Sequence, residues 1–251
     1  MTLPGYTDHG GDGPVVVLLH SFLMDGRMFA PQLAALDGFR CVTVDERGHG
    51  GTPATGPFDY WDVARDVLAV LDELGVSHAA VVGTSQGGFV ALRMALLAPS
   101  RVTALAVLGT SAAAEDPAVA AGYRAVLDAW VSGGAPPEVL DGVARICFGG
   151  FPVDEWKERW KSVAPDQLKL TMGALVDRDS VLSRAGEIAC PALVLHGTAD
   201  LAYPVERAAE LADALPAAEP LVVVDGGAHF LSYTHPDEVN PALTRFLGAH
   251  A

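Results

Sequence analysis

The sequence is poor in positive charge, which limits the partners it can have. Its 251 residues include 16 lysines and arginines against 31 aspartates and glutamates, so the formal net charge is −15. A charge of this sign repels a phosphate backbone, and no local cluster of basic residues offsets it. We therefore expect no nucleic-acid partner.

Cysteine and histidine are too few and too scattered to indicate a disulfide framework or a metal site. Cys41, Cys147 and Cys190 are the three cysteines, and no two of them stand at zinc-ligand spacing. The eight histidines form no H-E-x-x-H motif. We expect buried, reduced thiols and neither a metal nor a cofactor.

Long apolar runs are also missing. The N-terminal segment MTLPGYTDHGGDGP has neither a basic start nor an apolar core of signal-peptide length. No run in the chain reaches the roughly 18 apolar residues that a membrane span needs. These features predict a soluble, cytoplasmic protein.

Short apolar runs, each bounded by glycine, proline or polar residues, recur along the chain. Runs without alternation are typical of strands that are buried on both faces of a parallel sheet. They predict strands over residues 15–19, 41–44, 79–82, 102–108, 192–195 and 221–224. Apolar residues at helical spacing predict helices over 60–74, 86–98, 205–215 and 236–247. The alternation predicts a doubly wound, mostly parallel α/β sheet.

The alternation stops over residues 114–185, where helix-like stretches at 117–131, 137–147, 153–161 and 165–176 occur without a buried strand. We predict that 114–185 form a helical cap on a core made of 1–113 and 186–251. Such a cap would cover the carboxyl ends of the strands, where open α/β sheets bind ligands. A structural elaboration without substrate contact stays open as the alternative.

Several aromatic residues of this segment look exposed in the sequence. They include Trp130, Phe148, Phe151, Trp156 and Trp160. We take Trp130, Phe148 and Trp156 as candidates for substrate contact.

The segment GTSQGG, residues 83–88, places Ser85 between two glycines, after a predicted strand and before a predicted helix. Glycine content alone would give roughly 0.1 such pattern by chance, so this context carries the argument. A nucleophilic serine on such a turn has a strained backbone and needs small neighbours, which Gly83 and Gly87 supply. The amide of Gln86 is placed to bind an oxyanion, and its side chain is left as a group that could touch substrate.

A serine nucleophile needs a base and a carboxylate that orients the base. Asp200 follows the predicted strand at 192–195, and His229 follows the last predicted strand. Both loops would open at the same sheet edge as Ser85. The sequence therefore predicts a Ser85–His229–Asp200 triad.

Other residues near the predicted strand ends offer alternatives. Asp225, Glu115 and Asp116 each stay open as the acid. His196 and His20 fit local hydrogen-bond roles, and His20 is also a candidate for bracing the loop that follows it.

These motifs resemble the α/β-hydrolase fold superfamily over nearly the whole chain outside the cap. LLHSFLMD at 18–25 resembles the family's oxyanion loop, with Ser21 in place of the usual glycine, and VDERGHGGT at 44–52 resembles its D-x-R-G-x-G-x-S/T loop. HGTAD and GGAH resemble its acid and histidine loops. The resemblance implies that the amide of Phe22 is the second oxyanion donor. Because so few residues precede the first apolar run, we expect the N-terminal edge strand of many members to be missing.

The resemblance implies a cofactor-free hydrolase that cleaves a small carboxylic ester or lactone through an acyl-enzyme. A serine nucleophile differs from the aspartate of the related haloalkane dehalogenases and epoxide hydrolases, and the loops are faintly similar to those of 3-oxoadipate enol-lactonases. A perhydrolase of the haloperoxidase type, a C–C bond hydrolase and an acyltransferase stay open on the same triad. A non-catalytic ligand sensor stays open as a different class, and homo-oligomerisation is left open.

Overall fold

A single, mostly parallel sheet organises the protein. A computed structural model describes residues 3–251. Within them the sheet order is β1-β3-β2-β4-β5-β6-β7, with only the β1–β3 pair antiparallel. The strands are β1 (Tyr6–Asp8), β2 (Val15–Leu19), β3 (Arg40–Val44), β4 (Ala79–Thr84), β5 (Val102–Leu108), β6 (Ala192–Gly197) and β7 (Val222–Val224). The predicted doubly wound sheet is confirmed.

The helices cover both faces of the sheet, and four of them lie between β5 and β6. They are α1 (Ala30–Ala35), α2 (Tyr60–Glu73), α3 (Gln86–Leu97), α4 (Pro117–Gly133), α5 (Pro137–Phe148), α6 (Asp154–Lys161), α7 (Pro165–Val176), α8 (Val205–Ala214), α9 (Leu231–Thr234) and α10 (Pro236–His250).

The core consists of two apolar layers, one on each face of the sheet. Val17 and Val81 belong to the layer that includes α2, α3 and α8, whereas Leu18 and Val82 belong to the layer that includes α10. Successive residues of a strand point to opposite faces, so a strand covered on both sides must be apolar at every position. This burial explains why the central strands read as continuous apolar runs.

A short edge strand, β1, precedes the first apolar run. Within residues 3–251, the loop that resembles the family's oxyanion loop follows the second strand and not the third, which agrees with the expectation that one N-terminal strand is missing. β1 pairs with β3 from Tyr6 opposite Val44 to Asp8 opposite Val42. The strand has only three residues and all are exposed. Because none of its residues is buried, no apolar run marks it in the sequence.

The helical insertion, residues 113–180, leaves the core after β5 and returns before β6. Asp116 caps α4 by accepting hydrogen bonds from the amides of Ala118 and Val119, and proline occupies the first turn of α4, α5 and α7. Proline fits there because its missing N–H would have no partner inside the helix. The two ends of the insertion meet, since the amide of Val181 donates to the carbonyl of Ala112 at 2.8 Å.

Four of the five aromatic residues that look exposed in the sequence are buried, so that prediction is wrong for all of them except Phe151. Trp130 and Trp156 are each 4% exposed, and Phe148 and Trp160 are less exposed still, against 44% for Phe151. The sequence shows that these helices are amphipathic, but it does not show that their apolar faces pack on the core.

These rings fasten the insertion to the core. The Trp160 indole N–H donates to the carbonyl of Leu23 at 2.9 Å. Phe148 packs edge-on against Phe230, with 5.1 Å between ring centroids. Their role in the structure is therefore packing between the insertion and the core.

The three cysteines form no disulfide. Cys41 and Cys147 are buried and Cys190 is half-buried, and all are free thiols.

Candidate active site

Ser85 lies on a tight turn between β4 and α3. Its φ is 52° and its ψ is −112°, a conformation that a non-glycine residue rarely adopts. A Cβ on Gly83 would lie 2.3 Å from the carbonyl oxygen of Gly87, and a Cβ on Gly87 would lie 2.0 Å from that of Leu19. The flanking glycines are therefore required by close backbone contacts.

Three side chains from three loops form a continuous hydrogen-bond chain. Ser85 Oγ lies 2.8 Å from His229 Nε2, and His229 Nδ1 lies 2.8 Å from Asp200 Oδ2. The carboxylate can only accept, so Nδ1 carries the proton and Nε2 is free to accept from the serine hydroxyl. The geometry brings together the serine, the base and the acid that the sequence predicted.

The carboxyl group of Asp200 is held in its ionised form. Burial opposes ionisation, but the neighbouring His229 and a hydrogen bond from the amide of Tyr203 outweigh it, and the pKa of Asp200 lies below its ordinary value. The amides of Ala202 and Tyr203 both donate to Oδ1, at 2.7 and 2.9 Å. The other oxygen, Oδ2, is left for His229.

The alternative acids have other partners among the described residues. Asp225 accepts from the Thr198 hydroxyl, and Asp116 caps α4. Glu115 accepts from Arg178 Nη1 at 2.8 Å and from the Tyr203 hydroxyl at 3.0 Å. Asp200 is thus the carboxylate that the structure places on His229.

The amides of Phe22 and Gln86 are the two predicted oxyanion donors. Within residues 3–251, neither amide donates to a protein acceptor. The Ser21 hydroxyl, which replaces the usual glycine, donates to the carbonyl of Thr84 at 3.1 Å. Serine is accommodated here because it ties the loop to the residue before Ser85.

His20 holds this loop against the one that follows β3. Its Nδ1–H donates to the carbonyl of Ser21, and its Nε2 accepts from the amide of Glu46, both at 2.8 Å. Burial lowers the pKa of His20 to about 4, so the ring is neutral at pH 7 and its Nε2 remains an acceptor.

The side chain of Gln86 is buried and hydrogen-bonded within the protein, which gives no support to its suggested contact with substrate. Its Nε2 donates to Glu46 Oε2 at 2.7 Å, and its Oε1 accepts from the Tyr60 hydroxyl at 3.2 Å. Glu46 is itself buried, and this raises its pKa to about 8. The elbow is therefore supported by a buried polar network behind the serine.

A cavity of about 360 Å³ opens beside Ser85 and His229. Three helices of the insertion supply most of its wall, and the core supplies its floor. Its lining residues are Phe22, Ser85, Tyr123, Val126, Glu138, Val139, Gly142, Val143, Arg145, Ile146, Cys147, Met172, Leu175, Ala202, Tyr203, His229 and Phe230. Trp130, Phe148 and Trp156 are absent from this lining; Trp156 instead lines a separate cavity beside the loop at 48–53.

The match to a family model identifies the family of this chain. A family model for the alpha/beta hydrolase fold matches residues 14–236, most of the chain. The chain belongs to the α/β-hydrolase fold family.

The names of similar proteins refer to several different activities. BpoC of Mycobacterium tuberculosis, provisionally named a non-heme bromoperoxidase, is 30% identical over 96% of this chain and 97% of its own. A pimeloyl-[acyl-carrier protein] methyl ester esterase of Chromobacterium violaceum is 32% identical over the same shares. The solved structure of an enol-lactonase from Burkholderia xenovorans LB400 has a TM-score of 0.84 and 26% identity over 97% of this chain and 96% of that one.

Sequence reasoning missed the residues that shape the cavity beside Ser85. Tyr203 lies three positions after Asp200, and that position in the acid loop could have marked it. Val139, Val143 and Ile146 follow helical spacing on α5, which marks an apolar face without saying what the face meets.

Neither a metal-ligand cluster nor a membrane-crossing helix is found in the described part of the chain. No group of three or more His, Cys, Asp or Glu side chains in residues 3–251 could hold a metal ion. No helix there has the length and apolar character to cross a bilayer.

Proposed function

We propose that this α/β-hydrolase cleaves a carboxylic ester or lactone through an acyl-enzyme on Ser85. The observation that carries the proposal is the hydrogen-bond chain from Asp200 through His229 to Ser85 Oγ. The esterase and enol-lactonase names of its relatives agree with this chemistry.

The first half of the reaction transfers the acyl group to the enzyme. His229 Nε2 takes the proton of Ser85 while Oγ attacks the substrate carbonyl, and the ionised Asp200 stabilises the imidazolium that forms. His229 then gives this proton to the leaving alkoxide as the tetrahedral intermediate collapses. In the second half, His229 activates a water molecule that cleaves the acyl-enzyme.

The negative charge of each tetrahedral intermediate needs donors that are already in place. In this proposal the amides of Phe22 and Gln86 form the oxyanion hole, with Gln86 at the N-terminus of α3. His20 and Ser21 fix the backbone of the Phe22 loop through their hydrogen bonds. The charge is therefore stabilised without rearrangement of the loop.

The helical insertion acts as a cap in this proposal. Helices α4, α5 and α7 contribute to the wall of the cavity that holds Ser85. A wall of this kind excludes bulk water from the acyl group and selects substrates by shape.

The test is active-site labelling combined with ester hydrolysis. A fluorophosphonate probe should label the protein, and the protein should hydrolyse p-nitrophenyl butyrate. Ser85→Ala should remove the label and lower kcat by about 10⁴-fold or more, because the nucleophile is lost. Ser132→Ala, which removes an exposed hydroxyl on α4, is the matched control.

Two results would redirect the proposal. A wild-type protein that neither reacts with the probe nor hydrolyses short esters would favour a ligand sensor. Faster halide oxidation with acetate and hydrogen peroxide than ester hydrolysis would favour a perhydrolase, the activity suggested by the name of BpoC.

A further inference from the structure

The wall of the active-site cavity is apolar where an acyl group would lie. Val139, Val143 and Ile146 face it from α5, and Met172 and Leu175 face it from α7. These side chains offer a substrate dispersion contacts and burial of apolar surface, but no hydrogen bonds.

The buried charges next to the cavity do not favour an anion. Asp200 is ionised and lies buried behind His229, to which it is hydrogen-bonded. Arg178 is the buried cation nearby, but its guanidinium pairs with Glu115 at 2.8 Å, and both side chains are at most 3% exposed. The charges of Arg178 and Glu115 cancel each other. Of these three groups, Asp200 is the one that contributes a net charge next to the cavity.

The charges at the mouth of the cavity are exposed and of opposite sign. Glu138 and Arg145 both line the cavity and lie two turns apart on α5. Water screens exposed charges of this kind, so they attract a substrate carboxylate only weakly.

We infer that the site selects esters and lactones whose acyl group is neutral and apolar, and that it discriminates against acyl groups with a second carboxylate. The inference rests on the proposed function. Against the apolar side chains of α5 and α7, a carboxylate would lose its water without gaining a buried cation, and it would lie near the charge of Asp200. The faint similarity to 3-oxoadipate enol-lactonases therefore does not extend to their dicarboxylate-derived substrates.

A matched pair of esters tests the inference. Methyl hexanoate and monomethyl adipate have acyl chains of the same length and differ in the carboxylate at the far end. At pH 7.5 we expect kcat/KM for methyl hexanoate to exceed that for monomethyl adipate by about 100-fold or more. A ratio below about 10 would overturn the inference, whereas hydrolysis of neither ester, nor of p-nitrophenyl butyrate, would overturn the proposed function instead.

Placing a cation in the wall should reverse the preference. In Val143→Lys we expect the ratio to shift toward monomethyl adipate by about 10-fold or more. Ala129→Lys adds the same charge on the exposed surface of α4, outside the cavity, and should leave the ratio within about twofold. Circular dichroism checks folding, and Val139→Lys replaces Val143→Lys if the latter does not fold.

A third variant examines the mouth of the cavity. If Arg145→Ala selectively lowers kcat/KM for monomethyl adipate by about 10-fold or more, a rim cation recognises the carboxylate and the inference is wrong. An unchanged ratio supports the inference, because no cation then contributes to binding.

Discussion

At the scale of single residues, each member of the Ser85–His229–Asp200 chain is held by contacts outside that chain. The amide of Ser85 donates to the carbonyl of Leu108 at 2.8 Å, and two amides of the acid loop fix Asp200. The ring of Tyr203 packs edge-on against His229, with 5.4 Å between centroids. In the proposed reaction, the reacting atoms would therefore be in place before substrate binds, which is a condition for efficient general base catalysis.

The identity of the acid can be tested by two matched amide substitutions. Asp200→Asn should lower kcat by about 10⁴-fold, because the amide no longer stabilises the imidazolium and permits the wrong tautomer of His229. Glu115→Gln should keep kcat within about tenfold of wild type. Steady-state kinetics on p-nitrophenyl butyrate measures both effects. The opposite pattern would mean that Glu115, and not Asp200, is the acid.

The same glutamate has a clear effect on stability. Glu115→Gln leaves the buried Arg178 without its counter-charge and should lower the free energy of unfolding by about 3–5 kcal/mol. Urea denaturation measures this loss. The double variant Glu115→Gln/Arg178→Met should recover most of it, since neither charge then remains.

The sequence alone could not separate Glu115 from Asp200. Both follow strands whose carboxyl ends lie at one edge of the sheet, so position favours neither. The distinction depends on Arg178, which lies 63 residues after Glu115 and reaches it only in the folded chain. A contact between residues so far apart in the chain produces no local pattern in the sequence.

At the scale of elements, the turn that carries Ser85 tolerates no additional atom. A Cβ at position 87 would lie 2.0 Å from the carbonyl oxygen of Leu19, which belongs to β2. Gly87→Ala should therefore lower the free energy of unfolding by about 3 kcal/mol, because α3 must move away from the strand. Gly122→Ala is the matched control, because nothing lies within 4 Å of its Cβ position in α4.

The control should shift stability in the other direction. Alanine in the middle of a helix is favoured over glycine by about 0.5–1 kcal/mol, so Gly122→Ala should be slightly more stable than wild type. Urea denaturation of both variants gives the comparison. Equal destabilisation by the two substitutions would mean that the contact with Leu19 is not what requires glycine.

Elements with a long apolar pattern could be predicted, and short elements could not. The predicted strands and helices of the core agree with the structure to within a few residues at their ends. The helices α1 and α9, with six and four residues, were missed because helices of this length depend on tertiary contacts. One such contact joins them, since Gln32 Nε2 donates to the carbonyl of Ser232 at 2.7 Å.

At the scale of the whole molecule, one buried carboxyl group makes stability depend on pH. Glu46 has its pKa raised by burial from 4.5 to about 8. Between these values the unfolded chain loses the proton and the folded chain keeps it, so this group makes the fold less stable as pH rises from about 4.5 to 8. Below 4.5 both states are protonated and the effect disappears.

Glu46→Gln should remove this dependence. Glutamine keeps the shape and an oxygen that accepts from Gln86, but it cannot ionise. The difference in free energy of unfolding between the variant and wild type should be about 3 kcal/mol more favourable to the variant at pH 8 than at pH 5. This value follows from roughly 1.4 kcal/mol for each unit of pKa shift. Urea denaturation at the two pH values measures the gain, and an equal difference at both would contradict the buried, protonated carboxyl.

The overall architecture could be predicted because both periodicities are visible in the sequence, but the inner face of the insertion could not. The sequence does not show that Trp130, Phe148 and Trp156 are buried, because the core surface that covers them comes from segments distant in the chain. The cavity wall could not be predicted for the same reason. It depends on how α4, α5 and α7 dock, which no single helix encodes.

The hydrogen bond between the amide of Val181 and the carbonyl of Ala112 has a consequence for the evolution of the chain. The segment between these residues leaves and re-enters the core at one point, so a shorter or longer replacement needs only a tight bridge there. Recombination at this junction would exchange most of the wall of the cavity while leaving Ser85, Asp200 and His229 untouched. The junction therefore allows substrate preference to diversify independently of the bond-breaking chemistry.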